Sequence, residues 1–431
     1  MVVFIGAACS SEQIKLYSEK YKMPRVIFVQ QRWDYKFHKA MEVQCENYTC
    51  LSYPPIMTFP TATCFIYRKN SVKRIDEGIR ILPMVNLPVI KQLCLIRAVK
   101  SELEKICKEH KGEEVTVLTN CIYPQSLIAC RTLKERYGIK VYSLIPDLPD
   151  FISSNASGAS RLLNALLKPF RSISIKAKKY VDGYICFTEE QMNYLDKSKP
   201  HIVMEGFSDM DFVDGIAPAM LDTDKMIFVY GGGLRQAYGV NMLVDAFDAA
   251  KLENAELWLY GNGDSVSYIK EKGNPNIVHK GNVPHEEMIA IEKAAFMLVN
   301  PRFTHEAYSK CSFPSKLLEY MSTGTPVLTT RLEGIGEEYF DKMLYFEDVT
   351  VDGMKKTLTD AASKDDYSEM TNKTVEYVRK YKNVKSQAKK VLEFISSPHK
   401  KCINEVFMNS EKHNKPNLSS VSYYSERNRD V

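Results

Sequence analysis

Residues 226–247, MIFVYGGGLRQAYGVNMLVDAF, decide the fold of the second half of the chain. The apolar run MIFVY predicts a strand, and the three glycines directly after it predict a tight turn. The residues that follow place Val240, Leu243, Val244 and Phe247 on one face of a helix. Glycines let a backbone approach a ligand closely, and the first amides of a helix suit an anion. The segment therefore indicates either a pyrophosphate site or an ordinary strand-to-helix turn.

Strand and helix patterns alternate along almost the whole chain. The first half predicts strands at residues 2–8, 25–29, 115–119, 139–145, 183–187 and 201–204, with helices that include 90–109 and 124–137. The second half predicts strands at 226–230, 255–260, 276–281, 296–301 and 325–330. Alternation of this kind favours parallel strands joined by crossover helices. We therefore expect an α/β fold of two doubly wound, Rossmann-like domains with a ligand cleft between them.

Chain length supports two domains, because 431 residues exceed one ordinary hydrophobic core. A turn-rich, acidic stretch at 206–222 marks the boundary. We predict a first domain at 1–205, a second at 206–375, a C-terminal helix at 376–397 and a polar, disordered tail at 398–431.

Composition excludes several classes of protein. A net charge of +5 is too mild for a nucleic-acid-binding protein, and the chain has no apolar run of about 18 residues that could cross a membrane. The eleven cysteines are odd in number, form no CxxC pair and fall mostly in apolar runs. They indicate reduced thiols and hence a cytoplasmic protein.

Residues 313–327, FPSKLLEYMSTGTPV, place a cation and a carboxylate on one helix face. Lys316 and Glu319 are one turn apart, and they could be a weak surface ion pair. However, Glu319 lies among large apolar residues, where a buried carboxylate needs hydrogen-bond donors. A ribose diol would supply two hydroxyls, while Lys316 would neutralise phosphate. The glycine turn LYGNGD, with Gly261 and Gly263, follows another strand and lines the same sheet edge.

The chain resembles the retaining GT-B glycosyltransferases of family 4, in particular members that assemble bacterial polysaccharides. The motifs that carry the resemblance are GGGLRQAYGV, LYGNGD, GNVPHEEM, NPR and, most specifically, FPSKLLEYMSTGTPVL. It is strongest over 200–395. It implies transfer of a sugar from a nucleotide diphosphate donor, bound by the second domain, to a glycan or lipid-linked acceptor against the first domain. It also implies that the C-terminal helix crosses back to the first domain.

Matching positions carry the family's donor-binding roles onto this chain. Glu319 is expected on the donor ribose, the helix start at Ser315 together with Lys316 on the diphosphate, and Gly232 and Gly233 in the donor-domain glycine loop. Gly261 and Gly263 are further donor-side candidates.

Two positions depart from the family pattern. The first motif glutamate falls at Cys311, and the loop lysine before Gly239 is replaced by Tyr238. His305 and Glu306 are candidates to replace that glutamate, and Arg235 is the candidate to replace the lysine.

The expected mechanism is retaining transfer, catalysed by charge stabilisation of the departing nucleoside diphosphate by Arg235 and Lys316. We expect no metal and no cofactor, because the sequence has no HExxH motif and no Cys/His ligand spacing. Asp147 is the candidate polar contact to an acceptor hydroxyl, or else a turn-forming residue between prolines. Two other functions stay open: a nucleotide-sugar epimerase, and a catalytically inert sugar-nucleotide-binding subunit.

One segment suggests contact with the inner face of a membrane. Residues 162–180, LLNALLKPFRSISIKAKKY, mix apolar residues with five Lys and Arg. Such a segment suits an anionic leaflet, although Pro169 interrupts its periodicity and a solvated helix face fits it as well.

Overall fold

The structure is a computed structural model that describes residues 1–23, 29–68, 71–72, 78–146, 148, 172, 176, 178–303, 310–364 and 366–397.

The first sheet has seven parallel strands in the order β4-β2-β1-β6-β7-β8-β9. Its strands are β1 (Val2–Gly6), β2 (Tyr48–Ser52), β4 (Ile79–Ile81), β6 (Thr116–Asn120), β7 (Lys140–Ile145), β8 (Gly183–Cys186) and β9 (His201–Val203). The described helices beside it are α1 (Ser11–Lys20), α2 (Val29–Gln44), α3 (Ile90–Glu109) and α4 (Pro124–Tyr137). The strand order reverses between β1 and β6, so the loops after these two strands open side by side at the carboxyl edge of the sheet.

A small antiparallel pair stands apart from that sheet. Strand β3 (Ile66–Tyr67) pairs with β5 (Met84–Val85), and Ile66 lies opposite Val85. The pair is joined to α1 by a 2.7 Å hydrogen bond between the hydroxyls of Tyr17 and Tyr67. It therefore extends the loop region that follows β2.

The second sheet has six parallel strands in the order β12-β11-β10-β13-β14-β15. They are β10 (Met226–Gly231), β11 (Ala255–Tyr260), β12 (Ile277–Gly281), β13 (Met297–Asn300), β14 (Val327–Thr330) and β15 (Leu344–Phe346). The helices are α5 (Met210–Asp214) before the sheet, then α6 (Val240–Ala250), α7 (Ser265–Lys272), α8 (His285–Ala294), α9 (Ser315–Ser322), α10 (Val351–Ala362) and α11 (Ser368–Tyr377). Here the order reverses between β10 and β13.

The chain ends with helix α12 (Val384–Ser396), which packs on the first sheet. The Phe394 ring lies 5.5 Å from that of Tyr142, and Lys390 Nζ donates to the Val203 carbonyl at 2.8 Å. A single turn of π-helix at Val378–Lys382 separates α11 from α12, and Asn383 caps α12 by accepting from two backbone amides.

A buried ion pair joins the end of the first domain to this crossing segment. Lys382 Nζ lies 2.7 Å from Glu205 Oε1, and both side chains are buried. Burial alone would raise the pKa of Glu205, but the ammonium groups of Lys382 and Lys390 lower it. The pair therefore keeps both charges in a region shared by the two halves of the chain.

The predicted fold class is confirmed: two parallel, Rossmann-like sheets are present. The helices predicted at 90–109 and 124–137 begin and end at the predicted residues. The strand predicted at 25–29 is wrong at its last residue, since Val29 begins α2; residues 25–28 lie outside the described residues. Five strands were missed: β2, β3, β4, β5 and β15.

Two further features bear on the sequence predictions. The segment predicted as one helix at 376–397 is interrupted after Lys382, because the Asn383 side chain starts a new helix. No helix in the described ranges is long and apolar enough to span a membrane. The tail from 398 lies outside the described residues.

Candidate functional site

The loops after β10, β11 and β13 meet at the carboxyl edge of the second sheet. The glycine loop after β10 is held against the loop after β11 by two backbone hydrogen bonds, from Gly232 to the Tyr260 carbonyl at 2.9 Å and from Leu234 to the Asn262 carbonyl at 3.0 Å. A Cβ at Gly261 would lie 1.8 Å from the Gly232 carbonyl oxygen, and Gly261 also has φ of +129°. Glycine is therefore required at 261 for the two loops to pack against each other.

Gly263 has the same packing role, since a Cβ there would lie 1.9 Å from the Leu234 carbonyl oxygen. Gly232, by contrast, is exposed. Of the predicted donor-side glycines, the two at 261 and 263 shape the loop, whereas Gly232 and Gly233 are in the glycine loop itself.

An aromatic ring lies between two arginines beside this loop. The guanidinium carbon of Arg235 lies 5.7 Å from the centre of the Tyr238 ring, and that of Arg302 lies 5.0 Å from it. Arg302 belongs to the loop that follows β13. Arg235 is exposed and makes no ion pair within the described part of the chain. This edge thus carries cationic groups from two different loops.

Helix α9 presents the predicted cation and carboxylate. Leu317, Leu318, Tyr320 and Met321 are buried, which fixes the helix on the sheet. Ser315 is the first helical residue and is exposed. The side chains of Lys316 and Glu319 are 31% and 23% exposed and point to the same edge as the glycine loop.

Lys316 and Glu319 belong to a cluster of four ionisable side chains. Lys316 Nζ donates to Glu319 and, at 3.0 Å, to Glu292 Oε1. His285 Nε2 lies 2.7 Å from the second Glu319 oxygen. The Phe212 ring is stacked on His285, with ring centroids 5.2 Å apart and planes 9° apart. We call Lys316, Glu319, Glu292 and His285 the α9 cluster.

Contacts between opposite charges within the α9 cluster keep Lys316 and Glu319 ionised. Burial alone would lower the pKa of Lys316, but the carboxylates of Glu292 and Glu319 raise it. Burial would raise the pKa of Glu319, but Lys316 and His285 lower it below its usual range. Glu292 is fully buried, and burial raises its pKa; its Oε2 has no hydrogen-bond partner in the described structure. Lys316 is therefore a stable cation, whereas Glu292 is the member poised to hold a proton.

The α9 cluster and the glycine loop are directly connected. The Gly231 amide donates to the Tyr320 hydroxyl at 2.8 Å, and a Cβ on Gly231 would lie 3.5 Å from Glu292 Oε1. The Tyr230 hydroxyl donates to the Gly233 carbonyl at 3.0 Å. Burial raises the pKa of Tyr230 to about 12 despite the opposing effect of Arg302 and Lys316. The glycine loop, the loop after β13 and α9 therefore form one site.

The first domain has a different polar group at its own carboxyl edge. Asp34 on α2 is fully buried, and it accepts from the Ala7 amide at 2.6 Å and from the Asn120 side chain. Ala7 and Asn120 stand at the ends of β1 and β6. Burial raises the pKa of Asp34 to about 7, although both hydrogen bonds lower it. One carboxyl thus holds together two of the loops on which we expect the acceptor.

The structure brings some of the predicted site residues together, and others lie outside the described residues. Lys316, Glu319, Ser315 and the glycine loop lie at one sheet edge, with Arg235 at the end of that loop. Asp147, His305 and Glu306 lie outside the described residues, as do most of residues 162–180.

Cys311, where the sequence resemblance would place a glutamate, is buried in the apolar cluster of the first domain. Its carbonyl accepts from the Gln191 side chain at 2.9 Å. Burial raises the pKa of the Cys311 thiol, so this side chain is an apolar contact between the two halves of the chain.

Sequence analysis missed four residues with polar roles: Glu292, His285, Arg302 and Asp34. Two had a readable signal, because Arg302 directly follows β13 in NPR and His285 begins α8 in GNVPHEEM. Glu292 looks like an ordinary helix carboxylate, and Asp34 falls in a helix that was not predicted. Neither could be found without the tertiary contacts.

Comparison with known proteins identifies similarity in the second domain and in the overall fold. Residues 225–363 match the family model described as Glycosyl transferases group 1, which covers the second sheet. A search of curated proteins found no significant sequence match.

Several solved structures share the fold over 92% of the chain. They include sucrose-phosphate synthase from Thermosynechococcus elongatus (14% identity, 98% of that chain, TM-score 0.57) and Anabaena HepE in complex with UDP and glucose (10%, 99%, 0.56). The lipopolysaccharide outer core galactosyltransferase WaaB is also similar (14%, 99%, 0.55). At these identities the likeness establishes the fold, which is that of GT-B glycosyltransferases.

Proposed function

We propose that this protein is a glycosyltransferase that moves a sugar from a nucleotide diphosphate to a hydroxyl of a glycan or lipid-linked acceptor, with retention of anomeric configuration. We further propose that it belongs to the retaining family 4, of the bacterial polysaccharide-assembly type. The observation that carries the proposal is that Lys316 and Glu319 face the edge of the second sheet beside the glycine loop, joined to it through Tyr320.

Each donor group has a chemically matched partner in this arrangement. Glu319 accepts hydrogen bonds from the ribose diol, since a carboxylate has lone pairs beyond those used by Lys316 and His285. Lys316, Arg235 and the first amides of α9, at Ser315, face the diphosphate. The glycine loop at Gly232 and Gly233 lets the backbone approach it. The second domain is thus the donor side, and the first domain, with the loops held by Asp34, is the acceptor side.

In the proposed reaction, the bond between the anomeric carbon and the diphosphate oxygen breaks, and its electron pair stays with the diphosphate. The acceptor oxygen then bonds to the same face of the oxocarbenium-like carbon, and its proton passes to the departing diphosphate. Lys316 and Arg235 stabilise the negative charge that develops on that group. With these cations in place the mechanism uses neither a metal ion nor a cofactor. Asp147, His305 and Glu306 remain candidates for contact with the acceptor or the reacting sugar.

A lipid-linked acceptor would place the protein at the inner face of a membrane, and the basic segment 162–180 is one proposed contact. This part of the proposal is separate from donor chemistry and is tested separately below.

A screen against nucleotide sugars tests the donor assignment. The purified protein is heated with each member of a panel, and the products are analysed by mass spectrometry. The true donor raises the melting temperature, because it binds the folded state selectively, and releases nucleoside diphosphate slowly. Glu319→Gln should lose most of that stabilisation while keeping the melting temperature of the free protein within a few degrees. No stabilisation by any donor would contradict the proposal.

The same screen separates the two other functions. Conversion of the donor sugar without any acceptor indicates an epimerase, and binding without turnover indicates an inert subunit. With an acceptor in hand, the anomeric coupling constant of the product, compared with that of the donor, decides between retention and inversion.

A further inference from the structure

Five large apolar side chains are exposed on one part of the first domain. They are Phe59, Phe65, Ile66, Ile90 and Leu93, with exposed fractions of 37 to 48%. We call them the apolar patch. Nine large apolar side chains are exposed in the described residues, and five of them fall within this stretch of 35 positions. A concentration of this kind marks an interaction surface, whereas scattered exposed residues need no explanation.

Backbone contacts bring these residues together. The Phe59 and Phe65 rings meet edge to face, with centroids 5.9 Å apart. Asn86 ties their loops, because its amide donates to the Phe65 carbonyl at 2.8 Å and its carbonyl accepts from the Phe59 amide at 3.2 Å. The neighbouring residues of strands β3 and β5 are paired, and α3 begins only four residues after Asn86. The patch is therefore one surface built from the β3–β5 pair and its flanking loops.

The α3 part of the patch follows helical spacing. Ile90 and Leu93 are one turn apart, and Arg97 follows Leu93 by four positions, so all three lie on the exposed face of the first two turns. The buried face of the same helix carries Leu95 and Val99. The buried face alone packs the helix on the first domain. The exposed Ile90 and Leu93 are not needed for that packing and require another explanation.

The stretch of sequence that contains the patch is strongly basic. Residues 56–100 contain eight Lys and Arg but only two Asp and Glu, a net charge of +6, while the other 386 residues together have a net charge of −1. Of these cations, Arg68, Arg80 and Arg97 are described as exposed. The mild net charge of the whole chain therefore conceals one basic region, and it coincides with the apolar patch.

The patch also lies near the loops assigned to the acceptor. The loop that leads to it begins where β2 ends, and its first residue, Tyr53, donates its amide to the Gly6 carbonyl at 2.8 Å. The Tyr53 hydroxyl is 2.7 Å from Ser126 Oγ in α4, just after the loop that follows β6. A surface touched by the patch would thus be close to the carboxyl edge of the first sheet.

We propose that the apolar patch docks the first domain on a bilayer that contains anionic lipids. Phe59, Phe65, Ile66, Ile90 and Leu93 enter the boundary between headgroups and acyl chains, while the exposed arginines Arg68, Arg80 and Arg97 bind lipid phosphates. This surface is distinct from segment 162–180. The proposal stands apart from the transfer reaction, because docking needs neither donor nor acceptor.

The basic charge of this stretch argues against a second copy of this chain as the occupant. A two-fold interface would place the same patch of both copies face to face, and two regions of net charge +6 would repel each other. A bilayer with anionic lipids matches both features of this surface, because its acyl chains can cover the apolar side chains and its headgroups carry negative charge.

Flotation of the full chain with phospholipid vesicles tests the docking surface. We expect binding to vesicles of phosphatidylglycerol and phosphatidylcholine, little binding to phosphatidylcholine alone, and weaker binding as salt rises. The triple variant Phe65→Ser/Ile66→Ser/Leu93→Ser should bind the anionic vesicles at least about tenfold more weakly than the wild type. Val43→Ser/Met220→Ser is the matched control, since it removes two exposed apolar side chains elsewhere, 83% and 101% exposed.

A second variant separates the two proposed membrane contacts. Lys168→Gln/Arg171→Gln/Lys176→Gln leaves the apolar patch intact and should lose much less vesicle binding than Phe65→Ser/Ile66→Ser/Leu93→Ser. If only this variant loses binding, the contact belongs to segment 162–180 and the proposal is overturned. Equal binding by the triple variant and its control overturns it as well.

Sedimentation velocity and melting temperature complete the test. A wild-type dimer that the triple variant abolishes, with no vesicle binding, would assign the patch to a second copy. The triple variant should keep the wild-type melting temperature and the wild-type stabilisation by nucleoside diphosphate, which shows that any lost vesicle binding is not due to unfolding. If the protein bound no nucleotide, the glycosyltransferase proposal would fail but the vesicle result would still stand. The docking proposal and the glycosyltransferase proposal can therefore fail independently.

Discussion

The carboxyl edges of the two sheets carry opposite kinds of polar chemistry. In the second domain, Lys316 is held by two carboxylates, is partly exposed and belongs to a cluster that includes a histidine. In the first domain, Asp34 is fully buried, accepts from an amide and a side-chain amide, and has no ion pair in the described residues. The edge that we propose for the donor offers ionic contacts to a charged ligand, whereas the edge that we propose for the acceptor uses one buried carboxyl to set loop positions.

Lys316→Ala should have the largest effect, because it removes a cation that we propose to stabilise the leaving group. We expect kcat to fall about a thousandfold, or roughly 4 kcal/mol in the activation barrier, in an assay of sugar transfer with the identified donor.

Loss of stability must be distinguished from loss of catalysis in that variant, since Glu292 would stay buried without its cation. Lys316→Met combined with Glu292→Gln removes the cation together with the buried carboxyl that it contacts, and it should recover melting temperature without recovering activity. Near-normal turnover in either variant would remove the leaving-group role of Lys316.

Asp34→Asn should change how stability depends on pH. The folded state raises the pKa of Asp34 from 3.8 to about 7, so it holds this proton more tightly than the unfolded chain does. The protonated Asp34 therefore contributes to the free energy of unfolding, and this contribution is fully present below about pH 4 and is lost as pH rises through 7. Relative to the wild type, the variant should gain about 2 to 4 kcal/mol of unfolding free energy between pH 4 and pH 8.

Urea unfolding at a series of pH values measures this difference. Asp222→Asn, which changes an exposed carboxylate, should leave the pH slope unchanged. Parallel slopes for the wild type and Asp34→Asn would show that folding does not raise the pKa of Asp34 and would end the contrast between the two edges.

His285→Ala should have the smallest effect, because His285 acts on the donor through Glu319. We expect KM for the donor to rise about tenfold with kcat nearly unchanged, since a hydrogen bond to a charged group is worth about 1.5 to 3 kcal/mol. The loss should be greater for a nucleoside diphosphate than for its 2′-deoxy analogue, measured by calorimetry. His285→Asn should restore part of the affinity; equal losses for the two ligands would show that His285 does not orient Glu319.

The sequence predicted five of the six strands of the second sheet, because β10, β11 and β12 are each followed by a glycine-containing turn and an amphipathic helix. The prediction was weaker in the first domain. Strand β2, YTCLS, is short and mixes polar with apolar residues, and β4 and β5 have three residues or fewer. Such strands form because a neighbouring strand supplies their hydrogen bonds, which local periodicity does not record.

The site shows the same division. Lys316 and Glu319 were predictable because both lie on one face of one helix and belong to a specific motif. Glu292 was not, since its helix α8 lies 20 residues or more before them and the contact exists only after both helices pack on the sheet. The burial of Cys311 against the first domain also depended on that packing.

The sequence by itself determined the alternation of strands and helices, the glycine turns and the pairing of Lys316 with Glu319, because these depend on residues within one or two turns of each other. Only the tertiary structure decided that Glu292 and His285 complete the α9 cluster, that Asp34 joins two loops, and that five apolar side chains form one exposed patch. Those features depend on contacts between residues far apart in the chain, where burial and neighbouring charge, rather than residue type, decide what a side chain does.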